Sequence, residues 1–192
     1  MAVATLAGCG SGANYVANRD EDVYLKLPSD WTALDVPIEG VDADAPLPWQ
    51  MVLDSAGEPA AEHFDEPSPA QPVGRIIVTQ LAPEYRDSMS LAQLRSLALG
   101  TDPLTLGTQS AAGVEILGNL DNYEVNGNFG NRLRFKYLAT ADGPEVVMEQ
   151  VAVTNPALTR VYVVQMTCEL TCFEDHLDEI EHIIESFHIG AS

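Results

Sequence analysis

The stretch NRLRFKYLATADGPEVVMEQVAV, residues 131–153, decides the fold class. Its first half alternates, with Leu133, Phe135 and Tyr137 on one side and Arg132, Arg134 and Lys136 on the other. A period of two belongs to a strand with one buried face, because a helix would scatter these residues around its axis. Residues 141–144 read as a four-residue hairpin loop whose Asp142-Gly143 pair supplies the turn conformation. That loop predicts an antiparallel register with Lys136 opposite Glu149 and Tyr137 opposite Met148.

Downstream, Asn155-Pro156 turns the chain into RVYVVQMTC, residues 160–168. This run is apolar on both faces and so predicts a central strand. In the C-terminal segment CFEDHLDEIEHIIESFHI, Phe173, Leu177, Ile180, Ile184 and Phe187 fall in one arc at about 100° per residue, the stripe of a helix lying on the sheet. Thr171 and Glu174 have the spacing of a capping box at its start. Upstream, VYLKLPSDW predicts a strand that ends at Pro28 and a turn that sets Trp31 on the body of the protein. The stretch 37–72 is rich in Pro, Ala and acid, and reads as loop apart from a short strand at 49–53. RIIVTQL, residues 75–81, reads as a buried strand.

SMSLAQLRSLALG, residues 88–100, predicts a short helix. Ser90 and Gln93 form its capping box, Leu91, Leu94, Leu97 and Ala98 its apolar face, and Gly100 its stop. Strands follow at 113–117 and 120–125, separated by a Gly118-Asn119 turn. The fold class is therefore α+β: an antiparallel sheet with helices packed on its faces, in a single domain over 20–192 with a Pro/acid-rich loop at about 54–72.

The chain has 192 residues, 46% of them hydrophobic, which suffices for one buried core. Its 29 acidic residues against 9 basic ones give a formal charge of -20. Binding nucleic acid requires a basic footprint that this composition lacks. Adsorption to anionic head groups is equally disfavoured, and no apolar run is long enough for a helix to cross a bilayer.

Three cysteines divide unevenly, with Cys168 and Cys172 four apart and Cys9 distant. Leu6-Ala7-Gly8-Cys9 resembles the lipobox of bacterial lipoproteins. That resemblance implies a signal-peptide remnant at 1–8, its start lying upstream, and a diacylglyceryl group on the Cys9 thiol. Residues 9–19 then read as the lipidated cysteine and a flexible Gly/Ser/Asn tether. An oxidising exterior permits a Cys168–Cys172 disulfide. Two reduced thiols are the competing reading, and a structural zinc site lacks its remaining ligands.

The stretches LKLPSDW, with its P-x-x-W turn, APLPW, RIIVTQL, the Leu-rich helix, the hairpin strands, and VYVVQMTC running into IEHIIESFHI resemble the PsbP-like fold. More narrowly they resemble actinobacterial LpqN-type lipoproteins. The resemblance implies a binding or assembly module, and in the LpqN type one associated with the cell envelope.

Catalytic and metal patterns do not assemble. His176 and His182 lie about 120° apart around a helix and about 9 Å along it, so they cannot share an ion. His63 stands in the Pro/acid loop with Glu62 and Asp65, where metal binding is conceivable but unspecific, and His188 follows the stripe. Ser110 in GTQSAAG lacks the spacing of a nucleophile elbow, and GNFGNR, residues 127–132, is a turn before a strand and no phosphate loop. Asp42 and Asp44 could bind calcium weakly, but without an EF-hand pattern they read as a solvated acidic loop. The one unusual feature is the stripe of Arg132, Arg134 and Lys136, three of the nine bases. It reads either as an anion or partner site or as cross-strand pairing with acids such as Glu149.

These observations predict a non-enzymatic, lipid-anchored protein at the extracytoplasmic face of the cell membrane. No cofactor or metal is implied. It would bind a partner protein or envelope component through its sheet face and Pro-rich loop, and touch the membrane only through Cys9. A carrier holding a lipid or amphiphile in an apolar pocket, and an unrecognised hydrolase, are the alternatives.

Overall fold

The computed structural model describes residues 13–37, 48–106 and 113–190. The signal-peptide remnant at 1–8, Cys9 and tether residues 10–12, the Asp42/Asp44 pair, residues 45–47 of APLPW, and Ser110 lie outside the described residues. The chain opens with β1 (Ala13–Asn18), β2 (Val23–Pro28), β3 (Thr32–Asp35) and β4 (Trp49–Asp54). Next come a 3-10 turn (Ala61–Asp65), β5 (Val73–Gln80) and three short helices, α1 (Pro83–Arg86), α2 (Leu91–Ser96) and α3 (Pro103–Leu106). A run of four long strands follows: β6 (Glu115–Val125), β7 (Asn128–Leu138), β8 (Glu145–Thr154) and β9 (Arg160–Glu169). The chain closes with α4 (Leu170–Asp175), α5 (Leu177–Glu185) and β10 (His188–Ile189).

Seven strands form one antiparallel sheet in the order β3-β4-β5-β9-β8-β7-β6, with β9 at its centre. Both faces are covered. On one face, Val151, Val153, Tyr162, Val164 and Met166 pack against Phe173, Ile180, Ile183, Ile184 and Phe187 of the C-terminal helices. The same core takes in Val16, Val23, Leu25 and Leu27 of a smaller sheet ordered β1-β2-β10. On the other face, Leu94 of α2 sits on Ala152, Val161 and Val163, while Phe64 from the 3-10 turn belongs to a cluster with Val52, Val73, Leu133 and Phe135.

Several local expectations hold. Ser90 caps α2 by accepting from the Gln93 amide, and Gly100 ends that segment at a φ of +71°. The Trp31 amide donates to the Pro28 carbonyl, closing the turn, and its buried indole donates to Glu179 of α5 at 2.9 Å. Cys168 and Cys172 are joined as a disulfide that ties the end of β9 to the first turn of α4.

Other expectations are corrected. Residues 13–18 are a strand and not tether, because pairing with β2 buries Val16. Glu115–Val125 is one strand and not two, since the Gly118-Asn119 step lies within a bulged ladder to β7 and makes no turn. The hairpin register places Arg134, and not Lys136, opposite Glu149, and sets Phe135 opposite Met148. Its connection spans 139–144, closed by Gly143 N–H donating to the Thr140 carbonyl, so the ladder begins two residues earlier on β7 than a four-residue loop implies. Thr171 caps nothing, because β9 runs directly into α4 with Glu169 at the cap. Leu97 is exposed, and the closing helix breaks at His176.

Reduction of Cys168–Cys172 should lower unfolding free energy by about 2 kcal/mol, the loop-closure entropy of so small a ring, while leaving the chain folded. The check is a shifted urea midpoint at unchanged slope.

Candidate functional site

Alternation along β7 sends Arg132, Arg134 and Lys136 toward the face covered by α4 and α5, near the sheet's β6 margin. Directly across on β8 stands Glu149, only 1% exposed. A carboxylate so placed needs hydrogen-bonding or charged partners, since burying an unpaired charge is prohibitive. Arg132 Nε donates to Glu149 Oε1, and Arg134 Nε donates to its Oε2 at 2.9 Å. Arg134 Nη2 also reaches Glu181 of α5 at 2.7 Å, and its guanidinium lies 5.6 Å from the Phe173 ring centre. Burial disfavours the Arg134 charge, but its bonds to Glu181 and the neighbouring Glu149 outweigh that and raise its pKa. Lys136 sits between Glu145 at 2.9 Å and Glu115 at 3.2 Å, whose hydrogen bonds raise its pKa. Three bases thus face four carboxylates, and the stripe is occupied by cross-strand and strand-to-helix pairing.

Beside this cluster lies an open groove of about 250 Å³, bounded by residues 117–120 of β6, by Arg132 and Arg134, and by Glu149 and Glu181. Two further cavities bounded by described residues measure about 190 and 140 Å³. All three fall below the roughly 300–1,000 Å³ of ordinary small-molecule sites, and none favours the carrier.

A second cluster joins His63, which the sequence set beside Glu62 and Asp65, to a different acid, the Asp54 just past a predicted strand. Asp54, fully buried, accepts from the Ala56 amide at 2.9 Å, the Ala60 amide at 2.8 Å and His63 Nδ1 at 2.7 Å. The bond to Asp54 comes first among the causes that raise the His63 pKa, and it outweighs partial desolvation. The Pro/acid segment is therefore docked and not a free arm. Phe64 is buried with Arg75 stacked 4.3 Å over its ring, Ser68 Oγ donates to Glu169 at 2.6 Å, and the Glu169 amide donates to the Pro69 carbonyl at 2.9 Å.

The remaining histidines serve local structure. His176 Nδ1 lies 2.9 Å from the Cys172 carbonyl at the helix break, and His188 packs beside Tyr24 at 6.0 Å between ring centres. His182 is exposed on α5. Among the described residues no three or more His, Cys, Asp or Glu side chains are grouped to hold a metal ion. Hydroxyls such as Ser55, Ser68, Thr167 and Ser186 bond to carbonyls or a carboxylate.

A seven-stranded antiparallel sheet clad by C-terminal helices on one face and a short helix on the other defines the PsbP-like fold, and this chain has it. It superposes on a PsbP of Synechocystis with a TM-score of 0.54 at 10% identity, covering 97% of this chain and 98% of that one. A single-residue variant of the protein Mog1 gives a TM-score of 0.50 at 12% identity, covering 93% and 96%. LpqN of Mycobacterium tuberculosis, described as involved in cell envelope biogenesis, gives 0.49 at 18% identity, covering 99% and 90%. No family model matches the sequence, and no curated protein does. At such identities the likeness is one of fold.

Two outcomes follow. Glu149→Ala should cost roughly 2–4 kcal/mol, because it leaves Arg132 and Arg134 in a site built for an anion; thermal or urea unfolding reads this. The second concerns His63, whose pKa is raised in the folded state. Its bond to Asp54 thus contributes stability that is fully present below pH about 6.5 and is lost as pH rises through the folded value. His63→Gln should remove that component from the pH profile of the melting temperature.

Proposed function

We propose that this protein is a non-enzymatic, lipid-anchored binding module of the cell envelope, whose domain engages a partner protein at the extracytoplasmic face of the membrane. The observation that carries the reading is the division of the cysteines: Cys168 and Cys172 are bonded to each other, leaving Cys9 behind Leu6-Ala7-Gly8. Disulfides persist in oxidising compartments, and that compartment is also where a lipobox cysteine is acylated. Non-enzymatic action is supported by the employment of the ionisable groups. Arg132, Arg134, Lys136 and Glu149 are committed to one another and to neighbouring acids. His63 is held by a carboxylate that also clasps two backbone amides.

The anchor also fixes the range of action. With β1 beginning at Ala13, the chain from Cys9 to the domain can reach no more than about 14 Å when fully extended. The domain therefore works close to the bilayer, and its partner is membrane-bound or recruited there.

Expressed behind a bacterial lipoprotein signal peptide, the Cys9→Ser variant should shift from the detergent phase to the aqueous phase and lose incorporation of a clickable fatty acid. Unchanged detergent partitioning of the variant would overturn the anchor.

A further inference from the structure

We infer that the outer edge of β6, which no strand among the described residues pairs, together with the groove behind it, docks a short, extended, basic segment of a partner protein that pairs with β6 as an eighth strand. This rests on the binding-module reading above. The seven-stranded sheet ends on one side at β3, four residues long, and on the other at β6, eleven residues long. Eight of those eleven residues are exposed. An edge strand presents unpaired N–H and C=O groups to any incoming chain, and sheets usually blunt such edges with shortness, Lys, Pro or bulges. The β6 sequence EILGNLDNYEV contains neither Lys nor Pro.

Bulges are present, and their placement sets the size of the occupant. Register shifts fall between Ile116 and Gly118 and between Asp121 and Tyr123, the second at an Asn122 with φ +62°. Between them the ladder to β7 is regular from Gly118 to Asp121. Four residues suffice for a brief strand addition and are too few to template open-ended stacking. Leu117 immediately before this run and Leu120 within it, 45% and 57% exposed, line the 250 Å³ groove, as does Glu181 of α5. Small or β-branched side chains on alternate positions of an incoming strand would cover the two leucines.

Charge selects the chemistry of that strand. β6 itself carries Glu115, Asp121 and Glu124 and no base. The bases behind it are committed: Arg95 bonds Asp102 and Asp121, Arg132 bonds Glu149, Arg134 bonds Glu149 and Glu181, and Lys136 bonds Glu115 and Glu145. Carboxylates outnumber bases around the edge, within a chain of net charge -20. A second copy of this chain would meet like charge along the whole approach, whereas a Lys- or Arg-bearing strand meets a complementary field.

The test uses the purified chain and a peptide of about ten residues alternating Lys and Val, with amide hydrogen exchange and titration calorimetry as readouts. The expected result is protection at residues 118–122. Binding should weaken by at least about tenfold in a Leu117→Lys/Leu120→Lys variant of unchanged melting temperature, and by as much for a Glu/Val peptide. Equal binding by a Lys/Val peptide interrupted by Pro reduces the effect to bulk charge attraction and overturns the inference. So does protection confined to another element. Self-association lost in the double variant would assign the edge to a second copy, and a co-purifying amphiphile lost in that variant would assign the groove to lipid. Either result also overturns it. An envelope protein that cross-links equally to the wild type and the double variant removes this inference and spares the binding-module reading. Absence of any cross-linked partner to the wild type removes the reading itself.

Discussion

The burial of β9 on both faces is the constraint to which the other elements answer. From Val161 to Cys168 every residue of this strand is buried. A strand apolar on two sides needs two covers, so the chain supplies α4, α5 and the three-stranded sheet on one side and α2 on the other. Polar side chains remain on the α2 side, and they form a chain. Arg75 Nη2 donates to Gln165 Oε1 at 2.8 Å, Gln165 Nε2 donates to Gln150 Oε1 at 2.8 Å, and Gln150 Nε2 donates to the Leu94 carbonyl at 3.0 Å. In so dry a place each missing bond would cost on the order of 1–3 kcal/mol. A slip of one residue between β5, β9 and β8 would therefore orphan amides as well as expose core, and the chain acts as a register key.

The same logic shows which parts of this fold were legible in the sequence. The alternation of β7, the two-faced apolarity of β9 and the stripe of Ile180, Ile184 and Phe187 reflect burial, and burial writes itself into residue type. Turn geometry is less visible. Asp142-Gly143 marks a turn but not its length, and two residues of difference carried Glu149 from Lys136 to Arg134. The strand β1 reads as linker because AN-YVAN has one buried residue, Val16, and draws its pairing from β2 and thus from tertiary context. β10 is two residues long, too short for any period to register.

The candidate site was legible only as composition. Three bases on alternate positions announce a stripe, but whether it faces solvent or acids depends on Glu181, which arrives from 47 residues away. Asp54 and His63 are nine apart, in a segment whose prolines and carboxylates look solvated. Their pairing arises because Asp54 ends β4 inside the sheet's margin, where its carboxylate must find donors. The chain after it turns to offer the Ala56 and Ala60 amides and the imidazole. No local pattern encodes that return, and the buried Phe64 that accompanies it is the one apolar letter in the neighbourhood that hints at docking.

The disposition of charge follows from these contacts and bears on how the proposed binding module would select a partner. Of nine basic residues, Arg95, Arg132, Arg134, Lys136 and Arg160 are engaged by the chain's own acids, and Arg75 is held between Gln165 and the Phe64 ring. With only Arg19, Lys26 and Arg86 left over, the outward field is dominated by negative charge. Such a field raises encounter rates with cationic surfaces, but beyond about 8 Å at physiological salt it is screened, and it does not distinguish one basic partner from another. Discrimination must come from contacts made at hydrogen-bond distance. A backbone edge bounded by two bulges offers a fixed number of donors and acceptors in a fixed register, and it rejects chains that cannot extend across it. Under the proposed strand addition, the acidic surface would set which partners approach, and the length of the regular edge would set which of them fit.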